Sequence, residues 1–291
     1  MTTFIQYLVD GLGVGCLYVL LATGFTLIFG VMGIMNVAHA DFYMAAVFTY
    51  LFATSVAHLG VIPALLVGVL IAGALGAVLF FGVLDRIDHG RPLALFTATL
   101  GVSYVLENFI AKVVQFQTKS IPALFQSQPL TLLSIRFTSA QLVLLAVTLL
   151  MSGGLTLWLR RATLGKFTRA VSENTTLAEL VAIDTRQVRL VAVMLAAAMA
   201  GFGGLLVANT SLSINPFVAD TVSLKMFAVA VVAGIGSVEG AVVVGLLLGM
   251  IESVTVGYGG SQWQNVSGLL AMVLVLMVRP NGLFGRERRI G

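Results

Sequence analysis

The chain has 291 residues, of which 59% are apolar and only 10% charged, and its mean hydropathy is +1.04; a soluble domain carries roughly 25% charged residues. Those figures exclude a soluble enzyme or binding module and predict an all-α membrane protein. The net charge of +4 calls for no nucleic-acid partner, because the basic residues are strung along the borders of apolar runs rather than gathered in an aromatic-interleaved patch.

A hydrocarbon core roughly 30 Å thick takes about 20 apolar residues per helix. Such runs recur at 8–30, 40–57, 62–84, 93–111, 139–159, 188–208, 224–238, 241–257 and 263–278. They predict a polytopic helix bundle of about eight to ten spans, with residues 1–291 forming one transmembrane domain; the run at 224–238 is short for a full crossing. The segment MTTFIQYLVD has no Lys or Arg, so it lacks the positive region of a signal peptide and reads as the start of the mature chain. Cys16 is the only cysteine, which rules out an intramolecular disulfide.

Residues 11–57 would be one apolar stretch but for Gly30, Gly33, Asn36, His39 and Asp41. Irregular backbone at membrane depth is tolerated only inside protein or beside a water-filled cavity, so this junction is either a surface turn, which the spacing favours, or the lining of a pathway. A His beside an Asp is usually a satisfied structural pair, with a pH-sensitive group as the alternative. Glu107 and Glu252 fall inside predicted spans, where an ionisable side chain needs a cavity or a partner. Both lie toward the outer ends of their spans, and Lys112 is close enough in sequence to assist Glu107. The stretch 115–138, with Pro122 and Pro129, is long enough to receive an extracytoplasmic partner.

The segment 160–189 is much longer than an ordinary helix connection. Thr176 and Glu179 fit a capping box, which predicts a short helix starting there. Leu177, Leu180 and Val181 then form a small apolar face flanked by Glu179 and Asp184, suited to a partner's groove or, alternatively, to the membrane surface. Gly11/Gly15, Gly236/Gly240 and Gly245/Gly249 recur four apart, a pattern for close helix approach. Around Gly234 and Gly236 the same pattern follows a short apolar run, so a broken helix beside a transport site stands equal to plain packing.

Short loops rich in Lys and Arg stay cytoplasmic. Twelve of the sixteen basic residues sort to one side: Arg86 and Arg91, then Arg160, Arg161, Lys166, Arg169, Arg186 and Arg189, then Arg279, Arg286, Arg288 and Arg289. Lys112, Lys119, Arg136 and Lys225 fall on the other, which places the N-terminus outside and the C-terminus in the cytoplasm. No phosphate-cradling G-x-x-x-x-G-K-[ST] occurs, so any ATP is bound by another subunit. His39, His58 and His89 are too far apart to make a metal-ligand set, and no catalytic constellation or cofactor motif is visible. A transporter working alone would need buried charges for a coupling ion, and only Glu107 and Glu252 qualify.

Five segments in order resemble the shorter permease subunit of branched-chain amino-acid ABC transporters, over almost the whole chain. They are Gly11-x-x-x-Gly15-x-x-Tyr18 with Ala22 through Gly33; Asn36-Val-Ala-His39-Ala-Asp41-Phe-Tyr-Met44; Thr163-Leu-Gly165-Lys166-x-x-Arg169-Ala-Val-x-Glu173-Asn174 through Asp184; Lys225-x-Phe227 leading into Gly234-Ile-Gly236-Ser; and Arg279-Pro-Asn-Gly-Leu-Phe-Gly285. Ala40 and Ala182 stand where the family pattern has glycine, and Lys166 where it has arginine, departures that bear on local backbone geometry. The resemblance implies an importer subunit in the bacterial inner membrane, paired with a second related permease, two cytoplasmic ATP-binding subunits and an extracytoplasmic binding protein. It implies that Gly165, at a tight turn, with Lys166, Arg169, Glu173, Asn174, Leu177, Leu180 and Asp184 forms the segment seated on an ATPase. It also places Asn36, His39 and Asp41 near the translocation pathway, to which Gly234, Gly236, Glu107 and Glu252 are added as candidates. Branched-chain amino acids are the leading substrate class; the family also takes urea, short amides and other small carboxylated compounds.

Overall fold

The computed structural model describes residues 2–88, 90–132, 135–234 and 236–285. Eleven α-helices follow in order: α1 (Thr2–Met32), α2 (His39–Ser55), α3 (Val61–Leu79, continued by a π-turn over Phe80–Leu84), α4 (Pro92–Val113), α5 (Ser139–Arg161), α6 (Thr163–Glu173), α7 (Thr175–Leu180), α8 (Thr185–Ser211), α9 (Val218–Ala233), α10 (Val238–Gly259) and α11 (Gln264–Val278). Four short strands complete the described residues: β1 (Lys119–Ser120) pairs antiparallel with β4 (Ser213–Ile214), and β2 (Pro129–Leu132) with β3 (Ile135–Thr138). All except α6 and α7 among the helices correspond to the nine apolar runs.

Among the described residues seven helices are long and apolar enough to cross a membrane, α11 only together with the 3-10 turn Ser261–Trp263 that leads into it. The remaining two apolar helices, α2 with 17 residues and α9 with 16, are shorter, yet most of their side chains are buried, Leu224 of α9 being an exposed exception. They lie inside the bundle, so neighbouring helices rather than lipid satisfy their surroundings. The α1–α2 junction follows from this. Gly33, at φ +68°, ends α1 with its N–H donating to the Phe29 carbonyl at 2.8 Å, and the chain then turns back into the bundle. The Val37 N–H donates to the Thr99 hydroxyl at 3.3 Å. Thr99 lies seven residues into α4, about 10 Å along its axis. The junction is thus two turns inside the bundle and not a surface turn.

Close helix approach explains the glycine pairs. A Cβ on Gly11 would lie 2.6 Å from the Met250 Cα, and one on Gly15 2.8 Å from the Leu246 Cα, while Gly245 and Gly249 meet Val19 and Gly15 from the other side. This α1–α10 seam is stabilised by backbone-to-backbone contact that any larger side chain would prevent. Gly236 and Gly240 do not share it: Gly236 faces open space and Gly240 faces Phe284. At the other extreme, α4 buries one side chain per turn, Leu95, Thr99, Ser103, Glu107 and Ala111, and exposes Tyr104, Val105 and Phe109 to lipid or a partner.

The segment 160–189 is helical rather than a loop, because α6 and α7 fill it. The predicted cap is displaced. Asn174, in extended conformation after α6, accepts the Leu177 N–H at 3.0 Å, so it and not Thr176 caps α7; Glu179 instead accepts from the Thr185 hydroxyl at 3.0 Å. Asn caps as well as Thr or better, and α6 runs up to Glu173, which leaves Asn174 as the break. Gly165 is in the first turn of α6 and not at a tight turn. Its missing Cβ lets α6 press on the end of α5, where a side chain would overlap the Trp158 carbonyl and stand 2.7 Å from the Leu159 Cα. Ala182, where glycine was expected, sits at φ +60° as the chain leaves α7, a strained position for any residue with a Cβ.

Helix alternation puts the described basic residues Arg86, Arg91, Arg160, Arg161, Lys166, Arg169, Arg186, Arg189 and Arg279 at one end of the bundle, and Lys112, Lys119 and Arg136 at the other with the strands. Lys225 belongs to neither end: it is 5% exposed in the middle of α9. His89, Ile235, Arg286, Arg288 and Arg289 lie outside the described residues.

Candidate functional site

The seven residues singled out for a pathway separate into three places. The first is a buried polar array where the start of α2, the inner stripe of α4 and the start of α9 meet. Asn36, His39 and Asp41 are all fully buried. His39 lies between Phe25, at 6.5 Å between ring centroids, and Phe42, at 5.9 Å, with Nε2 over Gly24, where a Cβ would come within 2.9 Å. Its ring lies near the Leu21 carbonyl, but neither nitrogen reaches hydrogen-bond geometry. The Asp41 carboxylate faces the Ser103 hydroxyl, again short of full hydrogen-bond geometry, with Glu107 and Asp220 near enough to act on it electrostatically. Glu107 is 2% exposed, and Asp220 opens to the surface in the first turn of α9.

Both ends of the Asn36 amide, both His39 nitrogens, both Asp41 oxygens and Oε1 of Glu107 lack a hydrogen-bond partner. Each buried unpaired group costs roughly 1–3 kcal/mol. Of these groups, Asp41 and Glu107 come together with Ser103 between α2, α4 and the start of α9, whereas His39 faces α1; a buried carboxylate pair of this kind is open to exchange with water or a solute. His39 and Asp41 are not the mutually satisfied pair expected of them, since residues two apart on a helix do not face each other. Lys112 makes no ion pair with Glu107. Thr99, Ser103 and Asp220 were missed in the sequence reading. The spacing of Thr99, Ser103 and Glu107, four apart, was the available signal for a polar stripe on an otherwise apolar helix.

The second place is internally complete. Glu252 forms an ion pair with Lys225, and its Oε2 accepts from the Tyr18 hydroxyl at 2.7 Å while Lys225 Nζ stands 5.5 Å above the Tyr18 ring. With both charges met by partners from α1, α9 and α10, this triad joins three helices and leaves nothing free for a solute. The third place is the α9–α10 break. Gly234 and Gly236 have φ of +91° and +93°. The tail folds back on them, the N–H groups of Leu283 and Phe284 donating to the Val232 and Ala233 carbonyls at 2.8 and 3.0 Å. The last carbonyls of α9 are thereby capped. Gly236 lines a cleft of about 570 Å³ between α1, α5, α6 and the start of α10.

The α6–α7 segment is held at both ends. Asp184 caps α8 by accepting the Gln187 N–H at 3.0 Å, and Arg186 makes a bidentate contact with Asp85, Nη2 to Oδ2 at 2.6 Å and Nε to Oδ1 at 3.1 Å, while stacking over Phe81 at 5.7 Å. Between those anchors Leu177, Leu180 and Val181 are 60%, 77% and 70% exposed, and Lys166, Arg169 and Glu173 are exposed on α6. The described residues contain no cluster able to hold a metal ion.

Comparison with known proteins agrees on one kinship. A family model described as the permease component of branched-chain amino acid transport systems matches residues 7–278. The chain is 30% identical to the high-affinity branched-chain amino acid transport system permease proteins LivH of Salmonella typhimurium and Escherichia coli, over 97% of this chain and 96% of each relative. BraD of Pseudomonas aeruginosa, a permease protein described in the same words, is similar to the same extent.

Proposed function

Because the chain belongs to the family of branched-chain amino acid transport system permease components, we propose that it is one transmembrane half of a binding-protein-dependent ABC importer for branched-chain or closely related amino acids. It is a transport component and not an enzyme. A second, homologous permease completes the pathway, two cytoplasmic ATP-binding subunits drive it, and an extracytoplasmic protein delivers the solute. The chain sits in the bacterial inner membrane with its N-terminus outside, a placement that the clustering of basic residues at the α6–α7 end supports.

The observation that carries the solute reading is the pair of buried carboxylates Asp41 and Glu107 beside Ser103, together with the unpartnered Asn36 amide and His39 imidazole on the same stretch of chain. The carboxylates suit an ammonium group, and the amide and imidazole suit the rest of a polar amino-acid head, which a neutral amide or urea would match less well. Gly234, Gly236 and Glu252, in contrast, support the bundle.

Coupling runs through α6 and α7. ATP-driven closure of the partner subunits moves Arg169, Leu177 and Leu180. Gly165 passes that motion to the end of α5, and Asp184 with the Arg186–Asp85 contact passes it to α8 and α3. Lys166, Glu173 and Asn174 shape the same surface. The combined variant Arg169→Glu, Leu180→Asp should insert and fold normally but lose uptake and solute-stimulated ATP hydrolysis in the assembled importer. Uptake at the native rate in that variant removes the docking assignment.

A further inference from the structure

The cleft bordered by Gly236 gathers charged groups away from the buried carboxylates assigned to the solute. Arg160, in the last turn of α5, and Arg169, on α6, both line it, together with Ser172 and Ser237. Ser237 caps α10, accepting the Gly240 N–H at 3.0 Å, which leaves the Val238 and Glu239 amides of this 22-residue helix without an acceptor inside the helix, and both residues line the cleft. Glu239 already places a carboxylate there, 2.7 Å from Arg160, with both side chains more than half exposed. An independent feature lies at the floor: Thr26 is 1% exposed and lines the cleft, and its hydroxyl has no hydrogen-bond partner. Two guanidinium groups, a helix N-terminus and a waiting hydroxyl form a site for an oxyanion.

The volume and position narrow the occupant. A space of about 570 Å³ is far larger than a free phosphate ion needs. It extends from the basic end of the bundle to Thr26, six residues inside the end of α1 or about 9 Å along its axis. On α5 the cleft is lined by Thr156, Leu159 and Arg160, and beside them, outside the lining, stand the half-buried Trp158 and the exposed Leu157, an aromatic and an apolar side chain of the kind that sit at a headgroup boundary. We infer that this cleft binds the phosphate headgroup of an anionic phospholipid, with Arg160 and Arg169 on the phosphate, Thr26 on the glycerol or headgroup oxygens, and the acyl chains along α5. Glu239 competes with the phosphate for Arg160.

Native mass spectrometry of the purified full-length chain, exchanged between phosphatidylglycerol and phosphatidylcholine, tests this directly. Phosphatidylglycerol should be retained preferentially. Arg160→Gln and Arg169→Gln should each weaken retention about fivefold, the effect of one basic contact at a membrane surface, and Thr26→Val should weaken it without any change of charge. Glu239→Gln should tighten it. Arg161→Gln, an exposed charge outside the cleft, should leave retention unchanged. Equal losses from Arg161→Gln and Arg160→Gln would overturn the proposal in favour of diffuse surface attraction. Displacement of the lipid by millimolar sn-glycerol 3-phosphate would overturn it in favour of a soluble phosphate ligand, and displacement by leucine would return the cleft to the transported solute.

Discussion

Replacing Glu252 with Gln isolates the cost of an unpaired charge inside this bundle. Lys225 is the eighth residue of the 16-residue α9, about 10–12 Å from either end of the helix, too far for its ammonium to reach water. In the native chain it pairs with Glu252, which is 2% exposed and also accepts from Tyr18. Removing one partner of such a buried pair costs about 3–5 kcal/mol, or two to nearly four powers of ten in the folded-to-unfolded ratio, because the remaining charge is uncompensated. Replacing both partners, as in Lys225→Met with Glu252→Leu, removes the desolvation cost along with the attraction and should recover most of that loss. The assay is the temperature at which half of the detergent-purified protein remains monodisperse. Expected is a large drop for Glu252→Gln, a smaller drop for Tyr18→Phe, and a double variant closer to native than the sum of the singles. A Glu252→Gln protein as heat-stable as native, or strictly additive single and double variants, would refute the idea that this pair holds α1, α9 and α10 together.

Gly249→Ala should lower the same heat stability by roughly 1–3 kcal/mol, because its Cβ would meet the Gly15 backbone; Gly153→Ala, whose Cβ meets nothing, should not. Ala182→Gly should raise stability by about 1 kcal/mol through relief of the left-handed conformation, and a neutral or harmful outcome would show that the φ of +60° carries no strain. Glu107→Gln should raise the KM for leucine uptake about tenfold, the effect of losing a charged hydrogen bond of roughly 1.4 kcal/mol or more; unchanged KM and kcat would exclude Glu107 from the solute's path.

Much of this architecture was legible in the sequence because membrane helices must satisfy their own backbones, so each apolar run had one available conformation. The glycines of α1 and α10 were readable for a related reason: without water to drive association, close approach needs small residues at helical spacing. The exposed side of α7 was readable from Leu177, Leu180 and Val181, although its cap was assigned to Thr176 and not Asn174, because the sequence did not show how far α6 extends. What depends on depth was not legible. Whether residues 33–38 turn at the surface or two turns inside depends on where α4 stands beside them, and nothing local to Asn36 or His39 encodes that. Lys225 reads from the sequence as an outer-face charge because its partner, Glu252, is on another helix. The same holds for Asp220, which joins Asp41 and Glu107 only once α2, α4 and α9 are assembled.

In the proposed function this chain is a passive half-channel moved by other subunits. Uptake of labelled leucine into proteoliposomes decides it, comparing this chain alone with the complete set of two permeases, two ATP-binding subunits and binding protein. Uptake is expected only with the complete set and ATP, and is abolished by Arg169→Glu with Leu180→Asp. Leucine accumulation by the chain alone, independent of ATP, would contradict it.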